Sequence, residues 1–368
     1  MSRSLDLVFI GLSLSSSWGN GHATTYRALL RGLKQEGHSV LFLERDTPWY
    51  ADNRDLPEPD FCTFATYRSI DAMLETHGER LRTADAVIIG SYVPEGIAVI
   101  DRVMALRPRR ICCYDIDTPV TMALLDGQEA DYLAMRQVPL FDVYFSFSGG
   151  PVLTLLKSHY GARHPAALYC SVDPALYRNS GEPPRWDLGY LGTYSVDRQK
   201  TLETLLIEPA RLLPERRFVV AGSQYPDTIV WPDNVERIEH LPPSQHAAFY
   251  SRQRFTLNVT RANMIAAGWS PSVRLFEAAA CGVPIISDWW PGLDELLPKD
   301  EAILVARGVE DVVAALTEMP DARRTALADA ARDRVMSGHT GRMRARELVQ
   351  TLSAILPRPF SEKLSATR

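Results

Sequence analysis

One feature limits what this chain can fold into. Short runs rich in β-branched and aromatic residues alternate with longer amphipathic stretches over nearly all of its 368 residues. "DLVFIG", "SVLFLE", "AVIIG", "RICCYD", "DVYFSF" and "AALYC" come first. After the polar stretch "YRNSGEPPRW" (177–186) follow "DLGYLG", "RFVVAG", "RFTLNV", "PIISD" and "AILVA". Strands that are apolar on both faces need cover on both faces, and stretches such as "TTYRALLRGLKQEG" have the period to supply it as helices. The polar stretch has no apolar period, and its Gly and Pro mark a linker. A chain of this length exceeds one ordinary core. The fold class expected is therefore α/β, with two doubly wound, Rossmann-like parallel-sheet domains facing a cleft. The expected division is 1–176, a linker at 177–186, 187–342, and a helix and tail at 343–368 that packs back on the first domain.

Composition removes several classes of function. A net charge of -5 leaves no general basic footprint for nucleic acid or an anionic membrane. No run reaches the ~20 apolar residues a transmembrane helix needs. Arg3 and "LVFIG" imitate a secretion signal, but Asp6 breaks the run. Cys62, Cys112, Cys113, Cys170 and Cys281 have no metal-ligand spacing and several lie in apolar runs, so buried thiols in a reducing cytoplasm are expected. The acceptor-like "NVT" at Asn258 continues a strand and is set aside.

Sheets of this kind bind ligands beyond the carboxyl ends of their strands. The sharpest signal there is "PSVRLFEAAACGVPIISD" (271–288). A helix from about Ser272 to Ala280 should end at Gly282, with Pro284 opening a buried strand. Packing accounts for Phe276, Ala278, Ala279 and Ala280. It does not account for Arg274 and Glu277, charges beside an apolar face that need partners or a ligand.

The pattern R-x-F-E-A-x-A-C-G-x-P-x-I-S-D resembles the donor-binding segment of GT-B glycosyltransferases. Within these it is similar to the family 4-like and CgeB-like (spore-maturation) groups. The resemblance implies that Glu277 receives the ribose hydroxyls of a sugar nucleotide, a task for which a carboxylate's paired acceptors suit. A second glutamate often found eight positions earlier is here Trp269. Gly192 ends "DLGYLG" and Thr193 follows it, ahead of a helix start that suits a diphosphate, with Arg198 or Lys200 to neutralise it. Gly222 and Ser223 in "VVAGSQYP" are expected against the nucleotide. Thr260, Arg261, Ser270 and Ser272 in "NVTRANMIAAGWSPSV", together with Arg274, are expected on the donor side.

The first domain should receive the acceptor. In "SSWGNGHATTYR" the glycines relieve crowding and Thr24 or Thr25 can cap a helix. The spacing fits neither a Walker loop nor a Rossmann fingerprint. It resembles the glycine-rich, histidine-ended loops of GT-B enzymes, and with "FLERD-x-PWY" it is similar to the CgeB-like group. Trp18, Gly19, Asn20 and Gly21 are expected on the acceptor side, as are Ser148 and Gly149 in "FSFSGGP". His22 is the first candidate for a catalytic base, with an ordinary pKa near ~6.5. In "YDIDTPVT", Asp117 is preferred as an acceptor ligand or alternative base over metal binding.

The implied activity is a metal-independent, hexosyltransferase-like transfer from a nucleoside-diphosphate sugar to an acceptor hydroxyl or similar nucleophile, without a cofactor. The acceptor class (small molecule, glycan, peptide or lipid-linked) stays open. The alternatives are a non-hydrolysing sugar-nucleotide epimerase or phosphorylase of the same fold, and a sugar-nucleotide-binding protein without catalysis.

Overall fold

The computed structural model describes residues 3–19 and 21–355. Seven strands form the first sheet: β1 (Asp6–Gly11), β2 (Ser39–Arg45), β3 (Thr63–Tyr67), β4 (Ala86–Gly90), β5 (Ile111–Asp115), β6 (Val143–Ser146) and β7 (Pro165–Ala167). Six form the second: β8 (Trp186–Leu191), β9 (Phe218–Ala221), β10 (Val235–Ile238), β11 (Gln253–Asn258), β12 (Ile285–Ser287) and β13 (Leu304–Val305). The orders are β3-β2-β1-β4-β5-β6-β7 and β10-β9-β8-β11-β12-β13, and the paired strands are parallel. Both sheets are α/β and Rossmann-like.

Alternation along each strand explains the layering. Val8, Ile10, Leu41, Leu43, Val87 and Ile89 feed the core on one face of the first sheet. Their neighbours Leu7, Phe9, Val40, Phe42, Ala86 and Ile88 feed the core on the other. The second sheet is covered on both faces in the same way.

The chain crosses between the halves in residues 168–185 and returns close by. Val172 pairs with Thr340, its amide donating to the His339 carbonyl at 3.1 Å. The helix Gly341–Ile355 then lies on the first domain's helix His22–Gln35. A Cβ on Gly32 would sit 2.2 Å from the Gly341 carbonyl oxygen, and one on Gly341 would sit 2.0 Å from that of Ala28. The close approach therefore requires glycine on both helices. Arg346 at 3.1 Å and Arg342 also bind the Glu36 carboxylate and hold its pKa below the ordinary value. Residues 356–368, the end of the expected tail, lie outside the described residues. Among the described residues no helix is long and apolar enough to cross a membrane.

Candidate functional site

The loop after β1 is held in place by two carboxylates. Buried Glu44, in β2, accepts from the amides of Leu14 (2.6 Å) and Ser15 (2.9 Å) and from the Ser15 hydroxyl (2.7 Å). Asp55 accepts from the Ser17 amide and hydroxyl and, through both oxygens, from Arg27 at 2.8 Å. Gly19 supplies the left-handed turn at φ +67°. The helix begins at His22, and Thr24 and Thr25 donate back to the Gly21 carbonyl from its first turn rather than capping it. Asn20 lies outside the described residues.

His22 and Asp117 meet through Tyr92. The imidazole lies edge-on to the Tyr92 ring at 5.4 Å, and the Tyr92 hydroxyl donates to Asp117 at 3.1 Å. Tyr92 is held at φ 60°, a strained conformation for a bulky residue. His22 does not keep the ordinary imidazole range: burial pushes its pKa down to about 4, and its Nδ1 is out of solvent with no partner among the described residues. Burial pushes the Asp117 carboxyl up to about 6, opposed by Arg261, whose guanidinium reaches across from the second sheet at 3.6 Å. Asp117 Oδ1 is buried without a partner. Its neighbour Asp115 is structural, its oxygens bound by Tyr144 (2.7 Å) and Thr121 (2.8 Å).

On the facing side, Glu277 and Arg274 share the helix Val273–Ala280. Gly282, at φ +70°, ends the turn after it. Glu277 is buried, accepts from the Tyr250 hydroxyl at 3.3 Å, and has His246 at 3.8 Å. Arg274 stacks over Tyr190 at 4.9 Å, donates to the Leu191 carbonyl at 2.5 Å and to Asn258 at 2.9 Å. Arg198 donates to the Thr193 carbonyl at 2.5 Å, while its Nε is buried with no partner among the described residues. Burial, with the like charges of Arg274 and Arg261, lowers its pKa. A guanidinium stays charged nonetheless, so this wall is electropositive.

A hollow of about 220 Å³ opens between the two sides. Gly19 and Gly21 line it from the first half, and Gly192, Thr193, Gly222, Ser223, Arg274 and Glu277 from the second. Arg198 borders it through Thr193. The glycines do not offer their amides: Gly192 donates to Ala221 (2.8 Å) and Gly222 to Ile238 (2.8 Å). They let two strand ends approach, since a Cβ on Gly222 would sit 2.0 Å from the Gly192 carbonyl. The following helix start is not open to an anion either, because Asp197 sits there and accepts from the Ala262 amide. The cation lining the hollow is thus Arg274, with Arg198 next to it at Thr193, rather than loop amides or a helix end, and Lys200 is exposed.

Other expected residues are engaged elsewhere. Thr260 binds Asp288 through amide and hydroxyl, and Ser272 binds Asn258, which in turn holds Arg274. Ser148 and Ser270 bond to each other across the domain seam at 2.7 Å, and the Gly149 amide donates to the Trp269 carbonyl at 2.9 Å. Ser148 and Gly149 therefore close the seam rather than face an acceptor. Trp269, at φ 42°, presses its ring where Cβ atoms on Gly150 or Gly292 would lie, and donates to Glu295 at 2.8 Å. Trp18 meets His240 ring to ring at 4.3 Å. His240, Leu241, His246 and Tyr250 line the hollow and were not expected there. Their signal was "EHLPPSQHAAFY", hidden because the strand before it, β10, is half-polar.

Residues 198–350 match the family model described as glycosyl transferase-like. No curated protein matches the sequence. Sucrose-phosphate synthase from Thermosynechococcus elongatus is similar in structure, with a TM-score of 0.72 at 14% identity over 96% of this chain and 99% of that one. HepE from Anabaena, solved with UDP and glucose, has a TM-score of 0.69 at 11% identity, covering 95% of this chain and 100% of its own. An alpha-glucosyltransferase in complex with UDP-glucose and DNA containing an abasic site has a TM-score of 0.70 at 13% identity over 95% and 100%. The chain thus has the GT-B fold of glycosyltransferases, and its residues 198–350 carry the glycosyl transferase-like pattern.

Proposed function

We propose that this protein transfers a sugar from a nucleoside-diphosphate sugar to an acceptor hydroxyl or similar nucleophile. The observation that carries this reading is the pairing, at one hollow by the carboxyl ends of the second sheet, of buried Glu277 with buried Arg274, with half-buried Arg198 beside them. Glu277 suits a ribose diol, and Arg198 and Arg274 suit a diphosphate. The solved relatives with UDP or UDP-glucose bound support a uridine nucleotide as the donor class. In this reading residues 1–176 form the acceptor half and 187–342 the donor half. The "SSWGNGHATTYR" and "FLERD-x-PWY" segments support a place in the CgeB-like group.

At neutral pH, a carboxyl with a pKa of about 6 is ionised and an imidazole with one of about 4 is neutral. Asp117 is therefore the better proton acceptor. The acceptor O–H gives its proton to Asp117, its oxygen bonds to the anomeric carbon, and the bond from that carbon to the diphosphate breaks. Arg198 and Arg274 take up the charge left on the diphosphate, so electrostatic stabilisation comes from side chains without a divalent ion. His22, neutral and beside Tyr92, orients this wall. The test is UDP release from UDP-glucose in the presence of an acceptor panel. Asp117→Asn should depress turnover about 10²–10⁴-fold, the usual worth of a general base, with UDP affinity nearly intact. Turnover in Asp117→Asn equal to wild type would overturn the assignment, and activity abolished by chelator and restored by Mn²⁺ or Mg²⁺ would overturn the arginine account.

A further inference from the structure

A second hollow, of about 320 Å³, lies between the two halves on the far side of Glu277, sharing Thr24, Pro243 and Glu277 with the first. It holds far more than the ~30 Å³ share of one water and falls at the small end of the ~300–1,000 Å³ range of small-molecule sites. Ala28 and Arg31 reach it from the helix His22–Gln35, Leu56 from the loop before β3, and Ser171, Leu176 and Tyr177 from the crossing between the sheets. Neither His22 nor Asp117 lines it.

Each of its two guanidiniums is already paired with a carboxylate. Arg27 gives both terminal nitrogens to Asp55 at 2.8 Å, and Arg31 pairs with Asp173 at 2.9 Å. With Glu277 as a further carboxylate on the wall, nothing there favours a phosphate or another anion. One polar group is left over. Ser171 is 2% exposed, and its buried hydroxyl has no hydrogen-bond partner among the described residues. A buried hydroxyl without a partner is destabilising, so such groups are normally completed by a ligand or water. Around it, Leu56, Leu176, Tyr177 and Ala28 offer apolar faces. Paired carboxylates and guanidiniums keep further lone pairs and N–H groups for hydroxyls.

We propose that this hollow binds a neutral polyhydroxylated molecule of monosaccharide size, beside the donor nucleotide and across Glu277 from it, at a site that neither His22 nor Asp117 lines. An apolar wall for C–H faces, a lone buried hydroxyl and guanidiniums already paired with carboxylates fit such a molecule better than an anion.

Binding here needs no turnover, so the test uses the full chain without nucleotide. Calorimetric titration with D-glucose, D-galactose, D-mannose, N-acetyl-D-glucosamine and myo-inositol should find at least one that binds. Its affinity should fall at least tenfold in Leu176→Trp, which plugs the rim from an exposed position, and in Ser171→Val, which removes the hydroxyl. An unfolding midpoint equal to wild type shows that each variant has folded. Binding by none of the five would overturn the proposal, as would saccharide binding undiminished in both variants, which would place the sugar in the acceptor cleft. Binding of inorganic phosphate that is lost in both variants would overturn it too, by making the hollow an anion site.

Discussion

Asp117 and His22 flank the same tyrosine, yet burial moves them apart, because low polarity disfavours whichever form is charged. The carboxyl rises to about 6 and the imidazole falls to about 4. This gives a direct way to tell the two candidate bases apart. A base works only when deprotonated, so kcat/KM should fall as pH drops through about 6, and that limb should vanish in Asp117→Asn. A limb near 4 that disappears in a His22 variant instead would return the role to the imidazole. On the donor side, Arg198→Ala should weaken UDP binding by about 1.5–3 kcal/mol, the scale of a charged hydrogen bond, and leave uridine binding unchanged. Equal losses for both ligands in calorimetry would show that the phosphates are held elsewhere. Arg274 and Glu277 were legible as charges on an otherwise apolar helix. His246 and Tyr250 were not, because a histidine and a tyrosine on a short helix read equally well as packing.

Elements were legible where both faces of a strand are buried. β1, β2, β4, β5, β8 and β9 read as unbroken apolar runs because helices cover each side. β3 ("TFATY") and β10 ("VERI") were missed for the converse reason. Each is an outer strand of its sheet, with polar residues on the open face and no run to detect. Missing β10 also concealed the loop after it, which lines the hollow. The contact between the helices His22–Gln35 and Gly341–Ile355 could not be read locally, since it depends on two glycines 309 positions apart meeting in space. Gly32→Ala should cost about 1–3 kcal/mol, the range for overpacking a tight contact, measurable as a lower urea midpoint. An unchanged midpoint would mean that the last helix contributes little. Because Glu36 is held below its ordinary pKa, its ion pairs stabilise this contact above the unfolded value of ~4.3. That contribution is lost as pH falls through the lower, folded value. Both arginines are half-exposed, so the effect should be small and screened by salt.

At the scale of the molecule, the two halves meet through specific groups. Ser148 bonds to Ser270, the Gly149 amide to the Trp269 carbonyl, Asp117 pairs with Arg261, and the Trp18 and His240 rings meet at a tilt. The two-sheet architecture followed from the repeated alternation of apolar and amphipathic segments around one polar linker. The seam did not, because its partners are serines and glycines with no pattern of their own. A nucleotide that touches both walls stabilises the assembled state, by about 2.7 kcal/mol at a hundredfold excess over its Kd. Nucleoside diphosphate should therefore raise the unfolding midpoint of the whole chain. Ligand that leaves the midpoint unchanged at saturation would argue against a site spanning the cleft.

In the proposed function, Glu277, Arg274 and Arg198 at the mouth of the second sheet form a nucleoside-diphosphate site. Its most direct test is calorimetric titration of UDP, GDP, ADP and dTDP into wild type, Glu277→Ala and Arg198→Ala, each checked for folding by circular dichroism. At least one nucleotide should bind wild type, and its affinity should fall about tenfold or more in both variants. No binding by any of the four, or binding undiminished in either folded variant, would contradict it.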